Sequence, residues 1–297
     1  MELKQAKREK IKVPIMLMGA SGSGKTLSAL LIAKGIVEEM FPEMSNEEQW
    51  QKIALIDSEH NRSLLYAQSE HDGVLIEGFQ HLDLEAPYTA ERYMQAFQIC
   101  KNAGCEVIII DSLSHAWSGE GGILEKVESF GGRYQDWKNV KPDEKLMLKM
   151  LIDSELHVIA TARSKQATQV STTETGKLQV EKLGLKPDQK DTLEFEFAIT
   201  FQLYQDHMAE AAKDNSSMFG NRLQLNREVG KKIYNWAEKG IDVRAEERKQ
   251  KEELLSYLSE KTEEETMQQL MFKMNNLPLE QWPIKALEKA KTILGGN

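Results

Sequence analysis

The sequence contains no long apolar run. A helix that crosses a bilayer needs about 20 consecutive, mostly apolar residues, and no segment of this 297-residue chain has that character. Residues 1–12 are charged and contain no apolar segment followed by a cleavage site, so we expect no secretory signal. From these two absences we predict a cytoplasmic protein with no membrane partner.

Cysteine is also scarce, and Cys100 and Cys105 are the two examples in the chain. Their spacing does not match C-x-x-C, and neither has a histidine or a further cysteine at the spacing of metal ligands, which argues against a zinc or redox site. We interpret both as small buried hydrophobic residues, as in proteins of a reducing cytosol.

An excess of positive charge is missing as well. The formal net charge is −9, from 38 Lys and Arg residues against 47 Asp and Glu residues. This balance argues against bulk attraction to nucleic acid. It does not exclude nucleic-acid binding through a local basic face. Exposed charges separated by more than about 8–10 Å are largely screened at cellular salt, so only the charge near the binding surface matters.

The segment Gly19–Thr26, by contrast, carries a strong motif. It reads G-x-x-x-x-G-K-T, with the apolar stretch Ile15–Met18 before it and the helically spaced segment Leu27–Val37 after it. In this strand, loop and helix context, backbone N–H groups and the positive end of a helix dipole face a polyphosphate. We predict that ATP binds here, through Gly19, Ser21, Gly22, Ser23, Gly24, Lys25 and Thr26.

Lys25 and Thr26 have separate predicted roles in this loop. Lys25 is expected to reach the β- and γ-phosphates, and the Thr26 hydroxyl is expected to bind Mg²⁺. Further along the chain, the apolar run Val107–Ile110 precedes Asp111. Such a run is typical of a strand buried on both faces of a sheet, and it would bring the Asp111 carboxylate to the same Mg²⁺.

The order of elements predicts an α/β fold. Lys52–Asp57 and His157–Arg163 have the character of further buried strands, residues 168–180 predict a β-ribbon, and the chain after Gly240 is rich in Glu and Lys at helical spacing. We predict a P-loop NTPase with a mostly parallel central sheet, helices on both faces, β-hairpin additions and a small helical C-terminal region. The predicted divisions are an N-terminal arm (1–12), an ATPase core (13–240) and the helical C-terminal region (241–297).

Hydrolysis of a γ-phosphate also requires a group that orients or deprotonates water. Glu59 follows the second predicted strand, so it would lie at the same sheet edge as Asp111. Its position alone does not distinguish a catalytic base from an exposed loop carboxylate.

Two segments resemble those of the RecA recombinases. Ala54–His60, which reads A-L-I-D-S-E-H, looks like the strand-end motif I-D-A-E-H, in which the glutamate activates water. Val107–Ser112 is similar to the Walker B strand of that family, including the serine after the aspartate. The order of motifs over residues 13–240 resembles the core-only RecA-like ATPases of bacteriophages, a phage nucleotide-binding AAA-type family that includes recombinases and single-strand annealing factors.

This resemblance implies a RecA-type ATPase in which Glu59 activates the attacking water. It also implies a polar sensor of the γ-phosphate at the end of the strand 157–163, where Thr161 stands in place of the family's glutamine. The family further implies a DNA-dependent ATPase that binds single-stranded DNA and assembles as a homo-oligomeric ring or filament. Such a protein would support phage recombination or strand annealing in a bacterial cytoplasm.

Residues 114–140 and 164–190 correspond to the DNA-binding loops of RecA-like proteins. The first segment is rich in glycine, so we expect part of it to be a loop, and it mixes aromatic with basic residues, a combination that stacks on bases and neutralises phosphates. The second is net basic within an acidic chain. Exposed hairpins often carry lysine and aromatic residues often close a core, so both features also have a plainer interpretation. The DNA-binding residues predicted from these segments are Arg133, Tyr134, Lys138, Lys165, Lys177 and Lys182.

Two other functions remain open from the sequence. One is a nucleotide-dependent scaffold or switch that binds a protein partner through residues 241–297 and has no DNA role. The other is a small-molecule phosphotransferase, since kinases also use P-loops. The position of Glu59, which suits the orientation of water, and the lack of a clear arginine-rich lid argue against the second.

Overall fold

The computed structural model describes residues 5–172, 178–187, 193–261, 271 and 277–294. The chain forms two compact units. The larger is Ile11–Ala237, and the smaller combines Met1–Lys10 with Glu238–Asn297. The predicted phosphate-binding loop lies in the larger unit.

The larger unit is built on a central sheet. Its strands are β1 (Pro14–Gly19), β2 (Ile53–Asp57), β3 (Ser69–His71), β4 (Val74–Ile76), β5 (Gln80–Asp83), β6 (Val107–Asp111), β7 (His157–Thr172), β8 (Leu178–Pro187), β9 (Ile199–Leu203), β10 (Met208–Asp214) and β11 (Leu223–Gln224). Within the described residues the sheet has the order β11-β10-β9-β1-β7-β6-β2-β5, with β8 paired to β7 and with β3 and β4 in a separate hairpin. The strands from β9 to β5 are parallel, and β10 and β11 join by antiparallel pairs. The predicted mostly parallel sheet is confirmed.

Helices cover both faces of this sheet. The helices of the larger unit are α1 (Lys25–Met40), α2 (Asn46–Trp50), α3 (Ala90–Asn102), α4 (Leu113–Ser118), α5 (Ile123–Ser129), α6 (Lys141–Leu151) and α7 (Arg227–Ala237). Short 3₁₀ turns occur at Arg62–Tyr66, Tyr134–Val140 and Leu193–Glu196. The alternation along β1 separates two cores, because successive side chains of a strand point to opposite faces. Ile15 and Leu17 belong to the core beneath α1 and α7, whereas Met16 and Met18 belong to the core beneath α3 and α6.

Helices α1 and α7 are in backbone contact. A Cβ atom at Gly35 of α1 would lie 1.9 Å from the Arg227 carbonyl oxygen, and one at Gly230 of α7 would lie 2.1 Å from the Ile32 carbonyl oxygen. These two glycines therefore set how closely α7 approaches the helix that follows the phosphate-binding loop.

Strand β7 belongs to two structures in succession. Up to Arg163 it pairs with β1 inside the central sheet. From Ser164 onward it pairs antiparallel with β8, and the two form the predicted β-ribbon. The ribbon is thus a direct continuation of a central strand.

The smaller unit has a core of its own. Its described helices include α8 (Val243–Lys261) and α9 (Ile284–Ile293), with a 3₁₀ turn at Leu279–Gln281. Leu254, Leu258, Trp282, Leu287 and Ala290 form its buried cluster. Part of the N-terminal segment belongs to this unit, because the Lys10 N–H donates to the Ile241 carbonyl at 2.9 Å. The helical character predicted for the C-terminal region is confirmed. None of the helices in the described residues has the length and apolarity needed to cross a membrane.

Candidate active site

The segment Gly19–Thr26 joins β1 to α1 at the carboxyl edge of the sheet. Gly22 and Gly24 have φ angles of 82° and 89°, in the left-handed region that glycine adopts without strain. Gly19 is needed for space, because a Cβ atom there would lie 2.4 Å from Ser23 Oγ. The N-cap position of α1 is a glycine without a capping side chain, so the first backbone N–H groups of the helix are left for phosphate oxygens.

The Lys25 side chain lies inside this loop. Its Nζ donates to the carbonyl oxygens of Gly19 at 2.9 Å and Ala20 at 3.0 Å. Burial lowers the pKa of Lys25, although the neighbouring carboxylates of Asp111 and Glu59 act in the opposite direction. The ammonium group of Lys25 therefore lies in the loop where the motif predicts that phosphates bind.

Asp111 ends β6 and binds two threonine hydroxyls. Its Oδ2 accepts a hydrogen bond from Thr26 Oγ1 at 2.5 Å, and its Oδ1 accepts one from Thr161 Oγ1 at 2.5 Å. Burial raises the pKa of Asp111, and the two hydroxyl hydrogen bonds offset only part of this effect. The structure thus brings the two predicted metal ligands, Thr26 and Asp111, into direct contact. Thr161 lies fully buried beside them, and its role as a sensor stays a prediction.

The side chains of Thr26 and Asp111 fit a magnesium ion. Mg²⁺ prefers hard oxygen ligands, and it is commonly held by one or two carboxylates together with substrate phosphates rather than by a cage of protein groups. In the described part of the chain, no group of three or more His, Cys, Asp or Glu side chains forms a separate metal site. The hydroxyl and carboxylate beside the phosphate-binding loop are therefore the residues that would hold the ion.

Glu59 lies at the same edge and is held by three side-chain hydrogen bonds. Its Oε1 accepts from Ser112 Oγ at 2.9 Å and from Arg163 Nε at 2.9 Å, and its Oε2 accepts from Arg163 Nη2. Burial alone would raise the pKa of Glu59, but the hydrogen bonds and charge of Arg163, together with the Ser112 hydrogen bond and the nearby His115, outweigh burial, and the pKa lies below its usual range. Glu59 is therefore a carboxylate at neutral pH.

Further polar groups contact the backbone of Glu59 and the residues next to it. The backbone N–H of Glu59 donates to Asp57 Oδ1 at 2.7 Å. His115 Nε2 lies 4.0 Å from Glu59 Oε1, while its Nδ1 is 2.8 Å from Ser58 Oγ and its ring stacks on Tyr88. Burial lowers the pKa of His115, so a neutral imidazole is expected there at neutral pH. These contacts fix the backbone from which Glu59 projects.

Arg163 is a site residue that the sequence analysis missed. The resemblance to RecA proteins implied one polar sensor, at Thr161, yet Arg163 also lines the cleft and binds Glu59. The period-two alternation of a strand was the available signal, because residues 161 and 163 point to the same face of β7. What the sequence did not contain was the partner of the arginine, which depends on how β2 and β7 are placed in the sheet.

A cleft of about 450 Å³ joins these residues. Lys25, Thr26, Glu59, Asp111 and Arg163 line one part of it. The cleft is also lined by residues that the sequence did not point to, namely Arg62, Leu65, Tyr66, His71, Asp72, His207, Gln224 and Leu225. The Leu65 side chain is 79% exposed, which gives the wall an apolar surface next to the Tyr66 ring. This size and mixture of apolar and polar groups suit a nucleotide.

Of the predicted DNA-binding residues, Arg133, Tyr134 and Lys138 do not line the cleft. The segment 114–140, which we expected to be partly a loop, is folded mostly into α4, α5 and the 3₁₀ turn Tyr134–Val140, with short turns at 119–122 and 130–133 between them. The Tyr134 side chain is 94% exposed and Lys138 is exposed, whereas the Arg133 Nε is 3.2 Å from Asp136 Oδ2. Lys177 lies outside the described residues, as do the side chains of Lys165 and Lys182.

The fold and the site together define a P-loop NTPase. Residues 11–223 match the family described as "AAA domain", and because this match covers more than half of the chain, the protein belongs to that family. A comparison with curated proteins found no match. The protein is thus a nucleotide-binding protein of the ATPase type, in agreement with the prediction from Gly19–Thr26. The narrower resemblance to phage RecA-like proteins stays a prediction.

Proposed function

We propose that the protein hydrolyses ATP and that Glu59 is the catalytic base. The observation that carries this proposal is the convergence of Lys25, Thr26, Asp111 and Glu59 on one cleft. When bound to Thr26 and Asp111, Mg²⁺ supplies neutralisation of the charge on the β- and γ-phosphates. Lys25 binds the same phosphates from the loop.

In the proposed reaction, a water molecule attacks the γ-phosphorus. The new bond joins the water oxygen to phosphorus, and the bond from phosphorus to the bridging oxygen breaks, with its electron pair leaving on ADP. Glu59 takes the proton of the water, as its position at the strand end allows. Ser112 and Asp57 hold Glu59 for this step through its side chain and its backbone.

We further propose that single-stranded DNA is the partner that regulates hydrolysis. The path from the site to the DNA would be β7, because this strand carries Thr161 beside Asp111 and continues into the β7–β8 ribbon. The exposed Tyr134 ring supports the proposal from the other predicted segment, since exposed aromatic side chains stack on bases at about 1–3 kcal/mol per base. A homo-oligomer that acts in recombination or strand annealing is part of this proposal.

The test is the ATPase rate with and without single-stranded DNA, on wild type and on Glu59→Gln, with DNA binding followed by fluorescence anisotropy. We expect DNA to stimulate wild-type turnover. Glu59→Gln should lower turnover by about 100-fold or more, in the range of a lost general base, while it keeps ATP-dependent DNA binding. Sedimentation with ATP and DNA reports the assembly.

Tyr134→Ala examines the predicted stacking surface. We expect it to weaken DNA binding by about tenfold, the equivalent of one lost stacking contact. The matched control is Ile99→Ala, which truncates an exposed apolar side chain elsewhere in the unit, on α3. This variant should bind DNA as wild type does. Turnover that is indifferent to DNA, together with no DNA binding at low salt, would overturn the DNA part of the proposal and leave the ATPase part standing.

One observation favours the alternative of a nucleotide-dependent scaffold. The smaller unit has its own buried cluster around Leu258 and Trp282, as an independent docking module would. Removal of residues 241–297 distinguishes the two functions. If the protein is a scaffold, the truncated chain should lose its protein partner and keep its ATPase turnover. If it is a DNA-dependent ATPase, the turnover of the truncated chain should still be stimulated by single-stranded DNA.

A further inference from the structure

Arg163 is the last residue of β7 that pairs with β1, and its register partner is Gly19. The Gly19 carbonyl is one of the two oxygens that bind the Lys25 ammonium, at 2.9 Å. The Arg163 backbone N–H donates to Ser114 Oγ at 2.9 Å, which fixes the main chain from which the guanidinium projects. Arg163 therefore stands at the rim of the phosphate-binding loop, in the same cleft as Lys25.

The contact between Arg163 and Glu59 uses both carboxylate oxygens. Nε binds Oε1 at 2.9 Å and Nη2 binds Oε2, the paired geometry in which a planar guanidinium binds a carboxylate most tightly. Ser112 adds a third hydrogen bond. A carboxylate engaged in this way is a poor acceptor for the proton of a water molecule, so the arginine blocks the base that the proposed reaction needs.

A γ-phosphate placed at Lys25 would compete for the same guanidinium. It carries more negative charge than a carboxylate and offers three oxygens, and arginine binds both kinds of anion by the same paired geometry. The Arg163 side chain is 45% exposed, whereas that of Glu59 is 13% exposed. The arginine thus has room to turn in the cleft while Ser112 keeps the glutamate in place.

We propose that Arg163 exchanges partners during the ATPase cycle, from the Glu59 carboxylate to the γ-phosphate of ATP, and so frees Glu59 to accept the proton of the attacking water. This inference rests on the ATPase function proposed above. In this proposal, Arg163 changes its partner only when the bound nucleotide carries a γ-phosphate. ADP, which has no γ-phosphate, leaves the Arg163–Glu59 pair intact.

The test is a double-mutant cycle read by nucleotide affinity, so that it does not depend on turnover. Wild type, Arg163→Gln, Glu59→Gln and the double variant are titrated with Mg²⁺ and either a non-hydrolysable ATP analogue or ADP. Arg163→Gln should lose about tenfold or more in affinity for the analogue, and change its affinity for ADP by less than about twofold. Glu59→Gln, which removes the competing carboxylate charge, should tighten binding of the analogue by about threefold or more.

The effect of Glu59→Gln in the Arg163→Gln background distinguishes an exchange of partners from plain repulsion between the Glu59 carboxylate and the nucleotide. With exchange, Glu59→Gln gives no gain in the Arg163→Gln background, because there is no guanidinium left to release. An equal gain in both backgrounds, or an unchanged preference for the ATP analogue over ADP in Arg163→Gln, would overturn the proposal. Arg163→Lys, which keeps the charge and loses the paired geometry, should retain part of that preference.

Affinity for ADP shows whether each variant is folded with an intact loop. If wild type binds neither nucleotide, the ATPase assignment fails and the exchange fails with it. If wild type binds both nucleotides and the cycle shows no coupling, the exchange alone fails.

Discussion

Thr26 Oγ1 and Asp111 Oδ2 are 2.5 Å apart, although 85 residues separate them in the chain. The hydroxyl stands in the first turn of α1 and the carboxylate at the end of β6. The contact forms because the carboxyl ends of parallel strands meet at one edge of the sheet, where ligands of open α/β folds bind. It links the phosphate-binding loop to the strand that carries the second predicted metal ligand.

Asp111→Asn should make the ligand-free protein more stable and reduce the Mg²⁺ dependence of its nucleotide binding, because only the Thr26 hydroxyl would remain to hold the ion. Burial raises the pKa of Asp111, so the folded state binds more protons than the unfolded state between the two pKa values, and the ionised carboxylate costs stability at all higher pH. At pH 7.5 we expect a rise in Tm of about 2–4 °C, which is about 1 kcal/mol in a domain of this size. Differential scanning fluorimetry measures it.

The exposed residue Asp153 supplies the matched control, since Asp153→Asn should leave both Tm and Mg²⁺ dependence unchanged. A fall in the Tm of Asp111→Asn would show that its two threonine hydrogen bonds outweigh its burial, contrary to this prediction.

Lys25→Ala should weaken ATP binding by about 10- to 100-fold, because a hydrogen bond to a charged group contributes about 1.5–3 kcal/mol. The folded state should survive, since the hydrogen bonds of the Lys25 side chain go to carbonyls of its own loop and not to another element. Isothermal titration with ATP and Mg²⁺ checks the affinity. Lys145→Ala, on the exposed side of α6, is the control, and an equal loss in both variants would indicate that the effect is not local.

The positions of the phosphate loop, Asp111 and Glu59 could be predicted because each follows a run of apolar residues of strand length, whereas the role of Glu59 came from the resemblance to the RecA recombinases. Once the strands are parallel, their ends must share an edge. The pairing of Arg163 with Glu59 could not be predicted in this way, because Glu59 follows β2 and Arg163 lies on β7, and the order of these strands in the sheet is a tertiary property. Strand β5, Gln80–Asp83, was not predicted from the sequence, for another reason. It is a partly exposed edge strand with mixed polarity, held by its pairing with β2 rather than by a hydrophobic pattern.

Lys34→Met should change how stability depends on pH. Lys34 is buried against the Trp50 ring, and its Nζ donates to Gln49 Oε1 at 2.5 Å. Burial lowers the pKa of Lys34 below 10.5, so between the folded and unfolded pKa values the unfolded state binds more protons, and wild-type stability rises with pH.

We therefore expect the stability of wild type relative to Lys34→Met to increase between pH 7.5 and pH 10, as measured by urea unfolding at each pH. Loss of the Gln49 hydrogen bond adds a cost that does not vary with pH, so the slope and not the absolute difference is the readout. Parallel pH profiles for the two proteins would contradict the prediction.

Gly35→Ala should destabilise the larger unit, although alanine is the better helix former by about 1 kcal/mol. The added Cβ would lie 1.9 Å from the Arg227 carbonyl oxygen, and a backbone atom of α7 cannot turn away as a side chain can. Either α7 moves off α1 or the helix bends, at a cost of about 3 kcal/mol by analogy with overpacked cores. Gly78→Ala, where a Cβ meets nothing within 4 Å and φ is not in the left-handed region, should leave stability unchanged or slightly raised. Urea midpoints of the two variants decide the matter. If Gly35→Ala were as stable as Gly78→Ala, α1 and α7 would not be in backbone contact, and the helix that carries Lys25 and Thr26 would have a different support.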